Sequence, residues 1–260
     1  MIIDSNLYLS RWPFRRLPND ETASLVKKLK QNQIEKAFAG SFDGLLHKDI
    51  RAVNQRLAAE CRTAGPDLLI PVGSINPRLP GWEDDVIACH EEWQMPGLRL
   101  HPNYHGYQLS DPDVKKLFAM AAERGLFIQI AMRMEDDRTQ HPLMRVDDVN
   151  FAALPDLMKQ NPPLQVTILN GLKSLSGAKL TRLTENPNLT IEIAMLEGVG
   201  GIEKLMKQVP YQQILFGSYF PFFYLESSLN KLKESDLGME IEKQISRENA
   251  QGRFLKPSQR

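Results

Sequence analysis

Eight short apolar runs recur along the chain, each followed by a longer amphipathic stretch, and this alternation restricts the fold more than any other feature. The runs span 2–8, 34–42, 68–75, 97–101, 127–133, 164–170, 189–195 and 213–218. They are rich in aliphatic and β-branched residues, as strands buried on both faces are. The stretches between them, 21–33, 48–63, 82–93, 113–124, 151–159, 175–184, 201–209 and 226–233, carry apolar residues at helical spacing. Ile50, Val53, Leu57 and Ala58 form one such face. Asp111-Pro112 marks a helix start, and Gly125 and Asn186-Pro187 mark stops.

Strand-then-helix units in succession dictate a parallel sheet, and eight is the number that closes a barrel. An open doubly wound sheet would carry a glycine-rich phosphate loop after its first strand. The first strand here instead runs into Asn6-Leu7-Tyr8-Leu9-Ser10-Arg11-Trp12-Pro13. The expected architecture is therefore a single α/β (β/α)8 barrel over residues 1–255. A last helix over 240–254 packs under or beside it, and 256–260 form a frayed tail. The length of 260 residues and a 42% hydrophobic content are sufficient for that core.

Charge excludes some partners. The 32 basic and 32 acidic residues balance and form no block of one sign, so nothing favours nucleic acid or an anionic membrane. The longest apolar runs are too short to cross a bilayer. The start of the chain reads as a strand rather than a leader, which leaves the cytoplasm as the expected compartment. Cys61 and Cys89 lack metal or redox spacing and read as buried thiols.

In such a barrel, chemistry gathers where strands end. Alternation puts Asn6 and Tyr8 on one face of the first strand and Arg99 and His101 on one face of the fourth. On the fifth it aligns Gln129, Ala131, Arg133 and Glu135. Asn170 ends the sixth, Glu197 lies near the end of the seventh, and Tyr219 follows the eighth.

Several of these segments are familiar. Ile3-Asp4 with Trp12-Pro13-Phe14, the run from Gly97 to Tyr107 (GLRLHPNYHGY), Met132-Arg133-Met134-Glu135-Asp136 with His141-Pro142, and Ile214-Leu215-Phe216-Gly217-Ser218 with Phe220-Pro221 come in the order found in the second amidohydrolase family. The chain resembles that family over nearly its whole length. The resemblance implies a barrel that uses zinc or another divalent ion to hydrolyse or decarboxylate small molecules. It also implies metal ligands at five positions, and here these read Asn6, Tyr8, Ala131, Asn170 and Tyr219. In the family these positions hold a His-x-His pair, two further histidines, and an aspartate that also serves as base. Alanine offers a metal nothing, and neutral tyrosine and asparagine substitute poorly for imidazole. Without the ion, water keeps a pKa near 15.7 instead of about 7. No metal and no other cofactor are expected.

A polar, arginine-containing mouth remains. Arg99 and Arg133 are expected to project from adjacent strands into one space and, with Asn6, Tyr8, Asn170 and Tyr219, to contact a small anionic ligand. His101 and His105 are candidate proton carriers, with Glu135 as partner or base. A metal site of another kind would draw on His101, His105, His141 and Glu135. Two functions follow: a metal-independent hydrolase of a carboxylated or lactone-type substrate, or a non-catalytic barrel that binds a ligand or regulates a partner. The resemblance is compatible with a homo-oligomer. Tyr219 separates the two functions, because a ring filling the vacated metal space would plug the mouth.

Overall fold

The computed structural model describes residues 1–136 and 138–255, so the tail at 256–260 lies outside the described residues. Eight strands occur where the apolar runs predict them: Ile2–Leu9, Ile34–Ser41, a third in two pieces (Leu69–Pro71 and Gly73–Ser74), Gly97–Leu100, Phe127–Ala131, Val166–Leu169, Leu189–Glu192 and Ile214–Leu215. Each pairs in parallel with the next. The third strand is interrupted because Pro71 has no N–H to donate to a ladder. The amide of Val72 bridges the gap by donating to the Ala39 carbonyl at 2.8 Å.

The ring closes between the first and eighth strands. Ser5 N donates to Phe216 O at 2.9 Å, Tyr219 N to Asn6 O at 2.7 Å, and Tyr8 N to Phe220 O at 3.0 Å. The eighth strand is shorter than its apolar run for a local reason. The amide of Phe216 turns away to Ile245 O, and that of Ser218 to the Asp4 carboxylate. The architecture is the α/β (β/α)8 barrel that the alternation requires.

Helices follow the strands, their apolar faces packed on the outward strand residues. Asp49 caps Ile50–Ala64 by accepting from Ala52 N at 2.9 Å. Pro112 opens Pro112–Glu123, where a missing N–H has no consequence. The final helix is less regular than expected. It reads Gly238–Lys243, a π-helical turn over Gln244–Glu248, then Asn249–Phe254. Asn249 donates to the carbonyls of Tyr211 and Ile214, which fixes this segment under the barrel.

Inward residues form layers. At the base, Ile3, Phe38, Val72, Phe127 and Leu215 meet Phe254, whose ring centre lies 4.6 Å from that of Phe127. Polar side chains fill the middle. At the top stand Tyr8, Phe42, Ala131, Leu169, Ala194 and Tyr219. The middle layer fits two long charged side chains because the second and eighth strands present glycine there. A Cβ on Gly40 would lie 2.7 Å from Arg99 Nη1, and one on Gly217 would lie 2.5 Å from Glu192 Oε2. Gly40→Ala is expected to lower stability by about 1–3 kcal/mol, as overpacking of a fixed interior does. Urea unfolding of the variant measures it, and an unchanged midpoint would mean that Arg99 has room to move.

Candidate functional site

The middle layer is a sealed polar network. Arg99 has no exposed surface. It donates from Nη1 to Leu7 O (2.7 Å), from Nη2 to Phe38 O (3.0 Å) and from Nε to Gln129 Oε1 (2.8 Å). Its guanidinium also lies 4.5 Å from the Tyr8 ring centre. Gln129 passes the chain on to Ser5 O at 2.8 Å. Two buried carboxylates share this interior. Asp4 accepts from Ser218 N and Oγ and from Asn6 N. Glu192 accepts from Asn170 N (2.6 Å), Ala194 N (2.5 Å) and Asn6 Nδ2 (3.2 Å). Burial pushes the Asp4 carboxyl up to about 7 against the hydrogen bonds that favour its charge, and burial raises Glu192 in the same way.

The five positions where the resemblance implies metal ligands sit at the upper edge of this network and are joined to one another or to the chain. Asn6 Nδ2 donates to Asn170 Oδ1 at 2.8 Å, and Asn170 Nδ2 donates to Arg133 O at 2.9 Å. The hydroxyl of Tyr219 donates to Met134 O at 2.8 Å, and that of Tyr8 lies 2.9 Å from His101 Nε2. Ala131 is buried among the rings. Asn170 and Tyr219 both take φ of +56. Asparagine tolerates that left-handed conformation, whereas it costs tyrosine on the order of 1 kcal/mol. Tyr8 stacks on Phe42 at 4.7 Å and Tyr219 on Phe222 at 4.8 Å, so rings roof the polar layer.

The other predicted residues are dispersed. Arg99 does not share a space with Arg133, because its donors are held inside the barrel while Arg133 pairs with Asp148. That differs from the expectation of two arginines facing one ligand. His101 is fully buried under Tyr8, and burial, with His105 and Arg99 adding, holds it well below the usual histidine range and hence neutral. His105 donates from Nε2 to Gly44 O at 2.8 Å, and burial lowers it too. Glu135 is buried and paired with Arg15 Nη1 at 2.6 Å. His141 is exposed and stacks on Phe14. Among the described residues, no three His, Cys, Asp or Glu side chains group in a way that could hold a metal ion.

Open space lies one level higher. A cleft of about 460 Å³ is formed by the loops after the first, fifth, sixth and seventh strands and by the segment from Phe222 to Lys231. Arg15, Arg133, Lys173 and Lys231 line it, with Phe222 and Phe223 as an aromatic wall. The sequence reading missed three groups here. Asp4 reads as part of the first strand and of the Ile3-Asp4 motif, with no site role of its own. Glu192 carried a signal: in Thr190-Ile191-Glu192-Ile193, alternation puts a charge on the inward face. Lys231 carried none, because it reads as one of two surface lysines on Leu225–Lys233.

Comparison with known proteins fits this geometry. A family model described as amidohydrolase matches residues 14–160. No curated protein sequence matches. Among solved structures, 2,6-dihydroxybenzoate decarboxylase from Rhizobium superposes with a TM-score of 0.74 at 13% identity, covering 98% of this chain and 99% of its own. Dihydroxybenzoic acid decarboxylase from a Polaromonas species, with manganese and 2-nitroresorcinol, gives 0.77 at 12%, covering 97% and 96%. 5-Carboxyvanillate decarboxylase from Novosphingobium aromaticivorans, with manganese and 4-hydroxy-3-methoxy-5-nitrobenzoic acid, gives 0.73 at 12%, covering 98% and 96%. At these identities the likeness is one of fold.

The buried acids set a pH dependence. A carboxyl raised in the folded state holds a proton that the unfolded chain releases, so stability is greatest below the unfolded value and falls as pH rises through the folded one. Folding stability is therefore expected to decline between about pH 4 and pH 7, by at most about 1.4 kcal/mol per pH unit for Asp4. Asp4→Asn keeps an acceptor for Ser218 and should flatten that decline. Urea titrations at several pH values test this, and an unchanged slope in the variant would assign the proton elsewhere.

Proposed function

The chain belongs to the amidohydrolase family, and we propose that it binds a small carboxylated ligand at the mouth of its barrel without a catalytic metal. The observation that carries this reading is the closure of the former ligand positions on each other. A catalytic divalent ion needs about three protein donors and an open position. Asn6 and Asn170 are bonded together, Ala131 has no donor, and the phenols of Tyr8 and Tyr219 are engaged by His101 and Met134. Both oxygens of Glu192 already accept main-chain amides. Among the described atoms here, Asn6 Oδ1 and His101 Nδ1 lack partners, and one amide oxygen with one imidazole nitrogen falls short of the donors a catalytic ion needs. These side chains do not fit the ion.

The ligand class follows from the cleft, where cations outnumber the lining carboxylates Asp136 and Glu197 and an aromatic wall stands beside them, which suits one carboxylate carried on an apolar body. The fold neighbours support it: their ligands include 2,6-dihydroxybenzoate and 4-hydroxy-3-methoxy-5-nitrobenzoic acid. Hydrolysis without a metal would require a proton carrier beside the ligand. His101 is sealed beneath Tyr8 and Glu135 is held by Arg15, which favours binding over turnover.

Elemental analysis of the purified, unchelated protein is the test. Manganese, zinc, iron and nickel are each expected far below one per chain, with thermal unfolding unmoved by a chelator. Near-stoichiometric metal that survives dialysis would overturn the reading.

A further inference from the structure

Among the four cations of the cleft, one differs in its partners. Arg15 pairs with Glu135 at 2.6 Å, Arg133 with Asp148, and Lys173 with Asp136. Each of these charges is compensated by a carboxylate of the chain. Lys231 is not. Its ammonium donates to the main-chain carbonyls of Ile193 (3.0 Å) and Ala194 (2.6 Å), and no carboxylate among the described residues pairs with it. Carbonyl dipoles orient an ammonium but do not cancel its charge. Of three N–H donors two are engaged, which leaves one for an acceptor in the cleft.

We propose that Lys231 is the residue that reads the ligand's carboxylate, and that the cleft selects singly charged anions because, among its described lining cations, Lys231 is the one with no carboxylate in contact, while Asp136 and Glu197 of the same lining repel a second negative charge. This rests on the reading of the mouth as a carboxylate-binding site and adds to it the anchoring residue and the charge of the ligand. A ligand carboxylate at Arg15, Arg133 or Lys173 would crowd an anion already in place, a repulsive arrangement. At Lys231 it meets an ammonium partly withdrawn from water, where opposite charges attract more strongly than at an open surface. Burial lowers the pKa of this lysine against the more distant attraction of Glu192, Glu197 and Glu234. The two carbonyls hold Nζ at the end of the seventh strand, so the charge is positioned before a ligand arrives. Phe222 and Phe223 stand beside it as the wall for the apolar body.

A simpler role would be a clamp between Leu225–Lys233 and the seventh strand, and ligand binding separates the two. Calorimetric titrations would compare the wild-type protein, Lys231→Met and Lys231→Gln, with 2,6-dihydroxybenzoate (one carboxylate), phthalate (two) and benzamide (none) as probes. The wild type is expected to bind 2,6-dihydroxybenzoate, and phthalate no more tightly. Lys231→Met should weaken the monocarboxylate at least about tenfold, as loss of a partly buried charge partner does, and leave any benzamide binding unchanged. Lys231→Gln keeps amide donors for the carbonyls without the charge, so it should lose the same affinity even if Lys231→Met fails to fold. Unchanged carboxylate affinity in a folded variant would reduce Lys231 to a clamp and overturn the proposal, and tighter binding of phthalate would overturn the charge selection. Absence of carboxylate binding in the wild type would instead reject the parent reading of the cleft, and this proposal with it.

Discussion

A guanidinium with no exposed surface stands at the centre of the barrel, and much of the interior is arranged around it. An unpaired charge there would be costly, so each part of Arg99 needs a partner. The partners come from three strands around Arg99 on the fourth: Leu7 O on the first, Phe38 O on the second, and Gln129 on the fifth. Carbonyls of the first strand become available where its pairing with the second shifts register between Asp4 and Leu7. The glycine at 40 is a requirement of the same group, since a methyl there would meet the guanidinium. Asp4 and Glu192 supply negative charge in the same sealed volume, and the raised value of each reflects how little water reaches it.

Above this layer, aromatic rings stand at two of the positions where the family resemblance implies metal ligands. A catalytic metal needs an open approach for water, and a polar layer without a metal needs a cover. Tyr8 and Tyr219 provide it with Phe42 and Phe222, their rings 4.7–5.6 Å apart in stacked or edge-on pairs. The phenol groups are amphipathic in a useful way: each apolar face packs in the roof while the hydroxyl bonds inward, to His101 or to Met134 O. The accessible site is thereby displaced outward, from the strand ends to the loops that surmount them.

Much of the fold was legible in the sequence, because parallel strands buried on both faces leave continuous apolar runs and their helices leave a periodic stripe. Seven of the eight strands fall within those runs, and the first extends one residue past its own, to Leu9. The departures have local causes that a pattern of apolarity does not contain: the missing donor at Pro71, the amide of Phe216 drawn to Ile245, the π-helical turn before Asn249. The candidate site was legible in part. Alternation correctly put Arg99 and His101 inside, but it could not say how deep, and depth separates a ligand contact from a core group. Arg133 lies one turn of the pleat beyond the ring, where a loop carboxylate reaches it. Lys231 became visible only when the helix after the eighth strand folded back over the end of the seventh.

That fold-back ties the open cleft to the sealed interior through one peptide group. The peptide group between Ile193 and Ala194 donates its N–H to Glu192 Oε2 and receives Lys231 Nζ at its C=O. Glu192 in turn holds Asn6 and Asn170, two of the positions where the resemblance implies metal ligands. Hydrogen bonds in series polarise one another, so the ammonium in the cleft and the carboxylate in the core reinforce each other's partners across a single peptide unit. The first, sixth and seventh strand ends are held together by this amide–carboxylate network, which lies between Arg99 below and Lys231 above.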